Sequence, residues 1–200
     1  MAFVDSIDDT LKREIKNKLC INDNDFNTIL EIFTTKILPL IEKNYLSHLK
    51  TAIEDTVNDR MKAELLNQIK RDSAISSEEK NLIEKSLKLN QFRPFTILLK
   101  PVICKKKAFT RIINRSAFIG YDNRLPKKEI RILLAHEFGH IIISECYSDS
   151  QLRNEQNNAD LFAFFAILDK DKFYKSEAQK LTHISDIELI NDIVSLREKD

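Results

Sequence analysis

The side chains best suited to chemistry are His136, Glu137 and His140, within the stretch Arg131 to Glu145, RILLAHEFGHIIISE. Nearly every other position there is apolar, so the stretch reads as a buried helix whose polar groups are confined to these three residues and a gap at Gly139. Two imidazoles and a carboxylate are costly to bury unless something binds them. At about 100° per residue, His136 and His140 stand one above the other on one helix face, and Glu137 lies about 100° round the axis. Two ring nitrogens can then grip one metal ion while the carboxylate reaches a water on it, which is the HExxH pattern of zinc hydrolases. Such a site uses three protein ligands and leaves a fourth position to water, whose pKa falls to about 7. His136 and His140 are two of the expected ligands. Glu137 is the expected general base, taking the water proton and passing it to the leaving nitrogen. A mid-helix glycine costs up to about 1 kcal/mol relative to alanine, so Gly139 predicts that a ligand or a neighbouring helix packs closely there.

These side chains need neighbours to hold them. ADLFAFFAIL (159–168) is too apolar for a surface helix and is expected to pack directly on the HExxH helix, with Asp160 its only ionisable group. The stretch between, CYSDSQLRNEQNN, reads as a polar loop. Upstream, FRPFTILLKPVIC (92–104) predicts a buried strand broken or bulged at Pro101, and Lys105 to Lys107 an exposed turn. AFTRIINRSAFIGYD (108–122) continues with β-branched and aromatic residues, giving two or three strands in all, with a bend or close backbone approach at Gly120. Pro126 marks the start of the helix that carries the histidines.

The first ninety residues contain no glycine and show apolar residues at helical spacing. Ile7, Leu11, Ile15 and Leu19 paint one stripe; Phe26, Ile29, Leu30 and Phe33 begin a second, capped from Asn22 to Asp25 and interrupted at Pro39. A third runs through Leu49, Ile53 and Val57 toward Ile69, and Ser76 with Glu79 forms a capping box for a fourth. A calcium loop at residues 22–25 would lack its glycine and glutamate, so helix capping is the expectation there, and a helix-turn-helix DNA reader lacks its turn glycine and basic helix. Past the partner helix, KFYKSEAQKL (172–181) and SDIELINDIVSLREKD (185–200) predict two further amphipathic helices. The fold class is therefore α+β, with a helical part (1–90) of unknown role and a second part (91–200) carrying the sheet and the HExxH helix.

Basic and acidic residues nearly cancel, 32 against 31, so no overall field draws the chain to nucleic acid or to an anionic membrane. The balance is local. Eleven basic residues between Arg93 and Arg131 face only Asp122 and Glu129, a solvated sheet surface or a docking face for an acidic or DNA-bound partner. Three cysteines without CxxC spacing predict reduced thiols. The charged start and the lack of a run of roughly 20 apolar residues argue against a signal peptide or a membrane span, so a cytoplasmic location is expected.

HEFGH at the end of an apolar helix, followed within thirty residues by an acidic loop and ADLFAFFAIL, resembles the ImmA/IrrE-type zinc metallopeptidases. The likeness covers roughly residues 117 to 173. It implies a minimal thermolysin-like (zincin) fold, a Zn2+ cofactor and cleavage of a regulatory protein such as a DNA-binding repressor, without direct nucleic-acid binding. In that family a ligand glutamate lies four residues before the Asp or Asn of the partner helix; here that position is Gln156, and the glutamate is Glu155. If the helix starts after residue 156, Glu155 can turn toward the metal. If the helix includes it, Glu155 is rotated about 100° off the face and Asp160 becomes the other candidate. Glu155 is taken as third ligand, and Asp160 as the acid that accepts a hydrogen bond from a ligand histidine and orients its ring. Tyr121, Tyr147 and His183 are candidate oxyanion donors. A non-catalytic binding protein built on the same fold, or a hydrolase of small amides, are the alternatives.

Overall fold

In a computed structural model, residues 7–41, 45–88, 94–103, 106–146, 154–168 and 185–197 are described. Helix α1 spans Asp9–Leu19 and α2 spans Asp23–Ile32. Each begins at a side-chain cap, Asp8 accepting from the Leu11 amide and Asn22 from the Asp25 amide. Within residues 22–25 it is Asn22 that caps the helix, its side chain satisfying an amide that has no partner in the first turn. Ahead of Pro39, which has no amide hydrogen to donate, α2 passes through a π turn, Phe33–Ile37, and a 3-10 turn, Leu38–Leu40. Helices α3 (Tyr45–Arg71) and α4 (Ser77–Lys88) follow, the latter opened by the Ser76–Glu79 capping box with both reciprocal hydrogen bonds made.

Three short strands come next: β1 (Thr96–Pro101), β2 (Ala108–Ile113) and β3 (Ser116–Tyr121). Their order in the sheet is β1-β3-β2, with β1 parallel and β2 antiparallel to β3. The β2–β3 turn places Asn114 in the left-handed region, which asparagine tolerates better than most residues. At Gly120 a Cβ would stand 2.5 Å from the Phe109 ring, so the expected close backbone approach is made by a side chain on the neighbouring strand. Arg124 donates to both Asp122 carboxylate oxygens and fixes the loop leading to α5 (Lys127–Cys146); that guanidinium contact holds the Asp122 pKa down at about 2.

Helix α6 (Glu155–Leu168) packs along α5, and α7 (Asp186–Arg197) completes the described chain. The polar stretch read as a loop is shorter than expected, because α5 runs on through Cys146 and α6 begins at Glu155. The expected helix at 172–181 lies outside the described residues, as do Tyr147 and His183.

One apolar cluster joins residues from both ends of the chain. Helix α6 is at its centre: Ala159 and 161–167 are all inaccessible to solvent. Phe26 meets Phe165 edge-on at 5.6 Å between ring centroids, and Phe33 meets Phe162 at 5.8 Å, so the amino-terminal helices grip α6 from behind. A buried polar contact accompanies them, Asn158 donating to the Asp25 carboxylate at 3.2 Å. The architecture is thus α+β, mostly helical with a small mixed sheet. Among the described residues no helix is long and apolar enough to cross a membrane.

Candidate metal centre

Helix α5 exposes its histidine face to a cleft of about 880 Å³ between β2, α5, α6 and α7. The Nε2 atoms of His136 and His140 point at one another across 3.0 Å. Their other ring nitrogens are both occupied by carboxylates: Nδ1 of His136 lies 2.7 Å from Asp160 Oδ1, and Nδ1 of His140 lies 2.9 Å from Glu155 Oε1. A carboxylate at Nδ1 fixes the proton there, which leaves each Nε2 with its lone pair directed into the same small space. Two lone pairs 3.0 Å apart repel unless a cation lies between them, either a proton on one ring or a metal ion shared by both. The donor set therefore fits a metal at its two imidazoles.

The surrounding charges favour positive charge at this point. Burial alone would lower the His136 pKa, but the Asp160 carboxylate, the charge of Glu137 and a hydrogen bond with the Gln156 side chain outweigh it and raise the pKa above its ordinary value. Asp160 is wholly inaccessible, while the Glu155 side chain is 60% exposed. Asp160 sits behind His136, against the ring nitrogen that faces away from His140.

Glu155 is the first residue of α6, with Asn154 capping through the Asn157 amide. Of the two registers open from sequence, the helix takes the one that includes Glu155. Its carboxylate consequently meets the Nδ1 side of His140, whereas Gln156, one helical turn before Asp160, touches the His136 ring. Among the described residues no group of three His, Cys, Asp or Glu side chains closes around a common point. For Glu155 to serve as third ligand, its exposed side chain must swing from Nδ1 to the Nε2 side.

Glu137 lies in the cleft, 7% exposed, with Oε2 accepting from the Thr110 hydroxyl at 2.5 Å. Thr110, on β2, carried no signal in the sequence: one threonine in a strand is unremarkable, and only the packing of β2 on α5 brings it to a residue 27 positions away. Cys20 and Cys146 are free thiols. Burial pushes the Cys146 pKa up to about 11, which keeps it protonated and unsuited to metal binding. Tyr121 ends β3, outside the cleft lining.

The sheet's two edges differ. Along β1, Asn58 donates to the Phe95 carbonyl and accepts from its amide, and Glu54 accepts from the Ile97 amide, so α3 covers that edge with side chains. Along β2 the Lys107 carbonyl turns inward, accepting from the Asp122 amide at 2.8 Å. The antiparallel alternation then turns the backbone groups of Phe109, Arg111 and Ile113 toward β3, and those of Ala108, Thr110 and Ile112 toward the cleft.

Compared with known proteins, the chain matches no family model, no curated sequence and no solved structure.

Proposed function

We propose that the chain is a zinc-dependent metalloendopeptidase with a zincin-like catalytic part, acting in the cytoplasm on a regulatory protein such as a DNA-binding repressor. The observation that carries this reading is the pair of Nε2 atoms converging at 3.0 Å with the Glu137 carboxylate beside them on the same helix. His136 and His140 would hold the ion, with Glu155 as the third ligand. The ion would supply a water acidified to a pKa of about 7 and polarise the scissile carbonyl.

The chain's own residues divide the remaining work. Asp160 holds the His136 ring in the tautomer that presents Nε2. Thr110 fixes the Glu137 carboxylate, which accepts a proton from the attacking water and delivers it to the departing amine. The outward backbone groups of β2 offer an extended peptide a strand to pair with, beside Glu137.

Purified protein should carry about one zinc per chain by elemental analysis. His136→Ala should lose the zinc, and Glu137→Gln should keep it while losing proteolysis. A folded wild-type protein that takes up no zinc would end this reading.

The exposed position of Glu155 on the Nδ1 side of His140 favours a second reading, a binding protein that retains a two-histidine site without turnover. Zinc bound stoichiometrically by a protein inert toward every peptide, with only two protein ligands by X-ray absorption, would select it.

A further inference from the structure

The cleft carries charges of both signs, and they are not equally engaged. Its carboxylates are committed: Glu137 to Thr110, Asp160 to His136 and Glu155 to His140. On the β2 wall stands Arg111, exposed at mid-strand, with no carboxylate partner among the described residues. Lys106 lines the same rim.

Strand geometry defines what Arg111 would meet. Among the described residues no backbone group pairs with the outer edge of β2, and a peptide pairing there exchanges its hydrogen bonds with Ala108, Thr110 and Ile112, whose backbone groups face outward. The peptide residue across from Arg111 then occupies a non-hydrogen-bonded position, where opposing side chains approach most closely, with Cβ atoms about 4.5–5.5 Å apart. A guanidinium at that distance meets a carboxylate with two parallel hydrogen bonds and repels an ammonium. The neighbouring peptide residue lies across from Thr110, whose hydroxyl rests on Glu137.

We infer that Arg111 is a specificity-determining residue that selects an Asp or Glu in the substrate strand, one residue from the position over Glu137. The substrate class is an extended peptide segment with an acidic residue beside the reacting bond. This rests on the peptide-binding part of the function proposed above.

The test uses zinc-loaded Glu137→Gln protein, which binds without turnover, and capped decapeptide pools randomised except for a central Glu, Gln or Lys. The Glu pool should bind about five-fold more tightly than the Lys pool, with Gln between and the gap shrinking as salt rises. Arg111→Glu should invert the order, and Arg111→Lys should retain it. Equal binding of the pools, an order unchanged in Arg111→Glu, or no binding of any pool overturns the inference. Wild-type protein that shows the Arg111-dependent preference yet cleaves nothing would defeat the peptidase reading alone; cleavage indifferent to the acid would defeat this inference alone.

Discussion

Gly139 and Ala159 meet where α5 crosses α6, so closely that a Cβ on Gly139 would stand 2.8 Å from the Ala159 Cα and 3.0 Å from its carbonyl oxygen. The contact is with backbone, which cannot rotate away. The glycine between the two histidines is therefore the point that lets the helix of the acid approach the helix of the rings. Gly139→Ala should push the helices apart and cost about 1–3 kcal/mol of stability, the usual range for an overpacked core. Chemical denaturation measures that loss, and zinc affinity should fall with it because Asp160 moves with α6.

Asp160→Asn tests the orienting acid with almost no change of volume. The amide oxygen still accepts a hydrogen bond from His136 Nδ1, but the negative charge that strengthens the ring as a donor is gone. Zinc affinity should drop about 10- to 100-fold while the fold persists. Competition against a chromophoric chelator reads this directly, and unchanged affinity would mean that the contact is packing only.

The raised His136 pKa gives opposite pH dependences with and without metal. In the metal-free protein the protonated ring is favoured by Asp160 and Glu137, so that stabilisation is complete below the ordinary value of 6.5 and is lost as pH rises through the higher folded value. Zinc needs the neutral ring, so metal affinity should climb over the same window and level off above it. Melting curves with and without a chelator, across roughly pH 6 to 9, should diverge as the pH rises. Parallel curves would refute the assignment of His136 as a ligand.

Thr110→Val keeps the shape of the β2 side chain and removes the hydroxyl that holds Glu137. Zinc content should stay whole, and kcat/KM should fall about 10- to 150-fold, the equivalent of one hydrogen bond to a charged group. Steady-state kinetics on any peptide the wild type cleaves provides the measurement.

Much of this arrangement is legible in the residues themselves. The HExxH helix announces itself because polar groups are rare within it, and ADLFAFFAIL announces its partner because nothing so apolar can face water. Capping boxes, the interruption at Pro39 and the α+β class follow from equally local rules. Other parts depend on distance in space. The start of α6 was undetermined because NEQNN offers several capping side chains, and the choice of Asn154 decides whether residue 155 or 156 faces His136. Thr110 and Arg111 acquire meaning only when β2 is placed at the edge left open among the described residues, which in turn requires knowing that Asn58 and Glu54, some forty residues upstream, close the other.

The phenylalanines behind α6 also bear on how the protein can be handled. Phe26 and Phe33 are to α6 what a hand is to a tool handle, and a chain cut back to residues 91–200 would leave Phe162 and Phe165 facing water. Such a fragment is expected to aggregate rather than to fold on its own. Any displacement of the first two helices is carried through the same rings to α6, the helix that also holds Asp160 behind His136.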